Sequence, residues 1–128
     1  MAKYLSQEWL DEARQLSAGQ PDRPGATARV QWVVKGAPGG DVKYSWVLAD
    51  GHLLESHLGT IDDPDFTLTL AYDDAKAVHQ GELDLNVAFM QGRMKADGNM
   101  GKVMALLPIT KSAAYAALQQ ELRDHTEF

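Results

Sequence analysis

The side chains able to do chemistry are few, and their spacings match no familiar catalytic or metal-binding pattern. Histidines stand at 52, 57, 79 and 125, none in an H-E-x-x-H or comparable ligand spacing. His52 and His57 are an odd number of residues apart, so on one regular strand they point to opposite faces and do not pair around a metal. His79, near the end of a short helix, reads as a solvated residue or one complementing the dipole of the helix C-terminus rather than a general base. Asp62, Asp63 and Asp65 lack the loop, glycine and terminal glutamate of an EF-hand, and read as a polar turn around Pro64. Gly98-Asn99-Met100-Gly101-Lys102 resembles a phosphate loop only superficially, with two residues between the glycines and Val103 after the lysine. No Gly-x-Ser-x-Gly elbow occurs, and without cysteine no thiol nucleophile, disulfide or zinc ribbon is available. The expectation is no catalytic residue, no metal and no cofactor.

The elements that must position these groups follow from periodicity. Leu5, Trp9, Ala13 and Leu16 share one face of an amphipathic helix over about 6–18, with Ser6 as N-cap, and the prolines and glycines of 19–25 break it. From Arg29 the period becomes two. Val30, Trp32 and Val34, then Val42, Tyr44, Trp46 and Leu48, alternate with more polar residues and predict two strands joined by a loop at 36–41. Asp50-Gly51 turns the chain into a third strand, His52 to Leu58, giving an antiparallel meander, and Phe66, Leu68, Leu70 and Tyr72 mark a fourth. Asp73 and Asp84 can cap short helices, one to about Gln80 and one over 85–90. A fifth strand over 92–97 precedes a helix capped by Asn99 and stopped by Pro108, and a last helix runs from about Thr110 to Asp124. That order predicts one α+β domain over 1–128, a mostly antiparallel five-stranded sheet covered on one face by about five helices.

Composition narrows the partners. The 128 residues are 45% apolar and 23% charged, enough for one packed core, and 12 Lys+Arg against 18 Asp+Glu give a net charge of −6. An acidic chain is a poor partner for nucleic acid. No apolar stretch approaches the roughly 18 residues of a membrane span, so no stable membrane insertion is expected, and the absence of a leader pattern predicts the cytoplasm. What does stand out is Met100, Met104 and Leu107 at helical spacing, close in sequence to Phe89, Met90 and Met94. Such side chains complete a core or line an adaptable apolar cavity.

The segment Gly81-Glu82-Leu83, then Ala88-Phe89-Met90-Gln91-Gly92-Arg93-Met94-Lys95, then Gly98-Asn99-Met100, resembles the sterol carrier protein type 2 domain family in motif and order. Thr67-Leu68-Thr69-Leu70 before Asp73-Asp74 extends the likeness to about residues 28–122. The resemblance implies a five-stranded sheet and helices enclosing an apolar tunnel for sterols, fatty acids, acyl-CoA esters or phospholipids, in a stand-alone carrier of bacterial type. It places Phe89, Met90 and Gln91 near the tunnel with Met100 and Met104 on the neighbouring helix, and makes Gly92 and Gly98 backbone turns. Alternation adds Trp32, Trp46, Phe66, Leu68 and Leu70 as the inner sheet face, with Leu118 and Leu122 closing the tunnel. Arg93, Lys95 and Lys102 could receive a charged head group. The resulting expectation is noncovalent binding, and transfer, of a lipid, with a mobile last helix gating entry. Two alternatives stay open: an enzyme or accessory protein acting on a polyketide- or terpenoid-like metabolite, with Tyr44, Tyr72, His57 or Asp97 supplying a proton, and a protein-interaction module with an exposed apolar groove.

Overall fold

The computed structural model describes residues 1–128, in the order β1 (Ala2–Lys3), α1 (Gln7–Ser17), β2 (Ala28–Lys35), β3 (Val42–Ala49), β4 (His52–Leu58), β5 (Phe66–Ala71), α2 (Tyr72–His79), α3 (Leu85–Met90), β6 (Met94–Gly98), α4 (Met100–Leu106), a 3-10 turn (Leu107–Lys111), α5 (Ala113–Asp124) and β7 (Thr126–Glu127). The α+β reading holds, with five α-helices and a five-stranded sheet in the order β4-β3-β2-β5-β6. β2, β3 and β4 form the antiparallel meander, while β5 crosses to the other side of β2 and pairs with it in parallel, Trp32 opposite Leu68. The sheet is therefore mixed, with three antiparallel pairings and one parallel. The crossing segment is fastened by the buried Gln31 amide, which donates to the Gly59 carbonyl and accepts from the Ile61 amide. The Arg29 amide donates to the Asp65 carboxylate at 2.7 Å, so the acidic cluster is a turn tied to β2, as its residues suggested. A two-residue parallel pair, β1 with β7, joins the ends of the chain and was not foreseen.

Alternation sets the core. Val30, Trp32 and Val34 of β2, Tyr44 of β3 and Phe66, Leu68 and Leu70 of β5 share the face that α1 and the later helices cover, and all are buried. α1 begins where Ser6 accepts the Trp9 amide and buries Trp9, Leu10, Ala13 and Ser17. It lies along the free edge of β4. There Gln7 accepts the Leu58 amide and donates to the Ser56 carbonyl, and Ser17 accepts the Leu53 amide, so helix side chains occupy the hydrogen-bonding row a sixth strand would use.

Several local expectations are corrected. Val47 pairs with Glu55 but Leu48 pairs with Leu53, so Leu54 is an extra residue in β4. The bulge brings His52 and His57 to the same, outer face of the sheet, opposite Ala49 and Ser45. α2 starts at Tyr72 without a side-chain cap, and Asp73 lies inside its first turn. α4 ends at Leu106, just ahead of Pro108 as read, but a 3-10 turn continues to Lys111, and α5 begins later than read, at Ala113 under a Ser112 cap. The Asp84 and Asn99 caps form as read. Gly98 adopts φ 123°, and a Cβ there would lie 2.5 Å from the Asp65 carbonyl oxygen. Gly98→Ala is accordingly expected to destabilise by more than about 1 kcal/mol, read as a lowered urea midpoint at unchanged slope.

Candidate functional site

The helices do not fill all the space over the sheet. Beneath α1 and α5 lies an inner chamber of about 80 Å³, walled by Trp9, Leu10 and Ala13 of α1, Trp32, Trp46 and Leu53 of the sheet, and Leu118 and Leu122 of α5. Beside it an outer compartment of about 390 Å³ is bordered by Leu70, Val78, Leu83, Ala116 and the rim residues Gly81, Glu82, Asp84, Gln120 and Arg123. The two share Trp32, Trp46, His79, Leu85, Thr110, Tyr115 and Gln119 among their walls. The inner wall is largely apolar and aromatic: Trp32 stacks on Tyr44 at 5.7 Å and meets Trp46 edge-on at 4.9 Å, while Trp9 meets Tyr44 edge-on at 5.9 Å. Because the neighbours of these buried rings are other rings, the indole N–H groups of Trp9, Trp32 and Trp46 and the Tyr44 hydroxyl find no hydrogen-bond partner.

Polar groups enter at three places. Arg23 lines one end of the inner chamber, with its guanidinium on Ser112 Oγ at 2.9 Å and on Gln20. Arg123 lies on the outer rim, donating through Nε to the His79 carbonyl and through a terminal nitrogen to Gln120. Neither arginine forms an ion pair with a carboxylate. Between the compartments stands His79, the last residue of α2, with Nδ1 2.6 Å from the Tyr4 hydroxyl and its ring against Tyr4 and Trp9. Burial pushes its pKa down to about 4, overriding the opposing pull of the Ala75 carbonyl and helped by the charge of Arg123. The reading of His79 as a solvated residue is thus overturned by Tyr4, a residue far away in sequence. Burial also pushes the Tyr115 phenol up to about 12, partly offset by a hydrogen bond with Gln119.

Of the residues singled out for the ligand, Trp32, Trp46, Leu70, Leu118 and Leu122 line this cavity. Phe66 and Leu68 lie in the solid core, and Phe89 packs half-buried against it. Met90, Gln91, Met100 and Met104 are exposed and border neither compartment. The face that α4 and the following turn bury is Val103 and Leu107, not the methionines. Arg93 pairs with Asp74 and Lys102 with Asp65, while Lys95 is exposed, all three away from the cavity. Nor do Tyr44, Tyr72, His57 or Asp97 line it. Trp9, Leu10, Ala13, His79, Tyr115 and Gln119 were missed as wall residues. The apolar stripe of α1 could have indicated the first three, but nothing local marks His79. No helix is long and apolar enough to cross a membrane, and no three His, Cys, Asp or Glu residues gather as metal ligands.

Comparison with known proteins agrees with this architecture. Residues 10–111 match the SCP-2 sterol transfer family. Sterol carrier protein 2 of Bos taurus is 38% identical over 74 residues, which span 57% of this chain but only 13% of the bovine protein. Among solved structures, a conserved hypothetical protein of Thermus thermophilus described as possibly a sterol carrier protein superposes with a TM-score of 0.72 at 18% identity, over 97% of this chain and 90% of that one. Palmitated SCP2L2 of Aedes aegypti superposes with a TM-score of 0.65 at 22% identity, over 84% and 96%. With the family match spanning most of its length, and with the same fold, the chain belongs to the SCP-2 sterol transfer family.

Proposed function

We propose that this protein binds a single lipid noncovalently, its hydrocarbon chain in the inner chamber and its polar end toward the outer compartment, and passes it between apolar environments. The observation carrying this reading is the unfilled space behind Trp32 and Trp46, apolar within and bordered by arginines at Arg23 and Arg123. Each methylene moved there from water contributes roughly 0.8 kcal/mol before ordering costs. A relative of the same fold, the Aedes aegypti SCP2L2, is described as palmitated, which supports a fatty acyl chain as one occupant.

At about 80 Å³ the inner chamber is smaller than the cavity of about 150 Å³ that holds one benzene in an engineered protein, so the bound state requires a wall to move. α5 is the element that can yield, because few of its side chains reach the interior, Leu122 and the Tyr115 phenol among them. Saturation with palmitate is expected to slow amide exchange across 113–124; unchanged exchange there would remove α5 as the gate. The reading itself is tested by native mass spectrometry of delipidated protein titrated with fatty acids, acyl-CoA esters, sterols and phospholipids. One-to-one adducts lost in Leu118→Trp, which fills the inner chamber without adding charge, are the expected result. Absence of any adduct, or adducts unaffected by Leu118→Trp in a folded protein, would overturn it.

A further inference from the structure

We propose that the neck between the two compartments recognises an uncharged oxygen partway along the ligand's chain, such as a mid-chain ketone or hydroxyl, through the indole N–H groups of Trp32 and Trp46; this rests on the lipid-binding reading above. Buried polar atoms in folded proteins nearly always find a hydrogen-bond partner. Here four buried side-chain atoms do not: the indole nitrogens of Trp9, Trp32 and Trp46 and the Tyr44 hydroxyl oxygen. They belong to one run of neighbouring rings, Trp9 against Tyr44, Tyr44 against Trp32 and Trp32 against Trp46. Tyr44 borders neither compartment and Trp9 only the inner one, whereas Trp32 and Trp46 stand in the wall of both. Their ring centroids are 4.9 Å apart, so the two donors belong to one short stretch of wall. An indole nitrogen only donates, and a neighbouring ring face is a weak acceptor, so what both nitrogens lack is an acceptor atom.

The other polar side chains of the shared wall are already engaged. Thr110 donates to the Leu107 carbonyl and accepts from the Asn86 amide. His79 is bonded to the Tyr4 hydroxyl and the Ala75 carbonyl, and Tyr115 to Gln119. No charged side chain stands in both walls, since Arg23 borders only the inner chamber and Arg123 only the outer compartment. An anionic head group is therefore drawn to an arginine at one end or the other, and at the neck it would be desolvated without a counter-charge. An uncharged oxygen there loses less water and meets donors whose own desolvation is already complete. With the polar end toward the outer compartment and the chain in the inner chamber, the group at the neck is an interior atom of that chain. In the empty protein both nitrogens are covered. The oxygen reaches them as the wall parts for the chain, the movement that a chamber of about 80 Å³ already requires.

The test uses a set of oxo-octadecanoates, identical but for the position of the ketone along the chain. They are titrated beside stearate into protein with labelled indole nitrogens, and the tryptophan N–H resonances are followed by NMR. An interior isomer is expected to bind about tenfold or more tightly than isomers with the ketone beside the carboxylate or near the methyl end. The same isomer should move the Trp32 and Trp46 N–H protons downfield, which stearate should not. Trp46→Phe deletes one donor from a half-buried ring, and the preference among isomers should shrink there while stearate still binds. Equal affinity across the isomers, an interior preference that leaves the Trp32 and Trp46 resonances unmoved, or a preference unchanged in Trp46→Phe would overturn the recognition while stearate binding keeps the lipid reading standing. Failure of stearate and of every isomer to bind would overturn the lipid reading as well. Should Trp46→Phe fold poorly, the affinity ranking and the indole resonances of the wild-type protein decide the matter.

Discussion

Lowering the pH from 7 to 4 is expected to withdraw about 3 kcal/mol that neutral His79 contributes to the fold, and replacing that residue should abolish this loss. In the unfolded chain His79 titrates near 6.5, whereas in the fold its pKa lies at about 4. Between those values the unfolded state binds the additional proton, so acid favours unfolding. The contribution is fully present above about pH 6.5, declines down to about pH 4 and is constant below. At about 1.4 kcal/mol per pH unit, that interval corresponds to the stated loss. The groups facing the ring are Tyr4, which stays protonated throughout, and Arg123, which stays charged. Urea unfolding of His79→Gln should therefore lack this acid loss and keep the opposite pull of His52, whose hydrogen bond to Asp22 raises its pKa and favours the fold in acid, and a slope equal to that of wild type would remove His79 as the source of the loss.

The second large effect is expected at Trp32. It is 3% exposed, stacked on Tyr44 and edge-on to Trp46, and it separates the solid core from both cavity compartments. Trp32→Ala removes these ring contacts and cannot be repacked by neighbours that already border empty space, so a loss of about 3 to 5 kcal/mol is expected in urea unfolding. A loss under about 1 kcal/mol would mean that the helices collapse onto the sheet when the ring is absent. The same variant merges the cavity with the space the indole leaves, and its ligand range should widen toward bulkier occupants.

Much of the architecture was legible because strand alternation and helix capping are local. Val30, Trp32, Val34, Phe66, Leu68 and Leu70 belong to the covered face by period alone, and Ser6, Asp84 and Asn99 mark helix starts. Alternation does not distinguish a filled core from a cavity wall, since both demand apolar side chains. Leu68 is covered directly, whereas Trp32, Trp46 and Leu70 lie under a gap, a difference set by where the helices rest. The methionines of α4 lie outside the cavity for a related reason: their spacing identified the helix, but the inward side chains are Val103 and, in the turn that follows, Leu107. His79 escaped notice because its environment is made by Tyr4 at the far end of the sequence, and the Leu54 bulge left no composition signal. The parallel pairing of β5 with β2 depends on the path of the crossing segment, which Gln31 and Asp65 fix from a distance.

The seat of α1 on the edge of β4 ties two behaviours together. The helix supplies Trp9, Leu10 and Ala13 to the inner chamber, and through Gln7 and Ser17 it also occupies the open hydrogen-bonding row of the sheet. Any excursion that lifts α1 to empty the chamber bares that row at the same moment. Seated, α1 keeps that row closed to a strand of a second molecule, so the same helix that walls the chamber also guards the edge of the sheet.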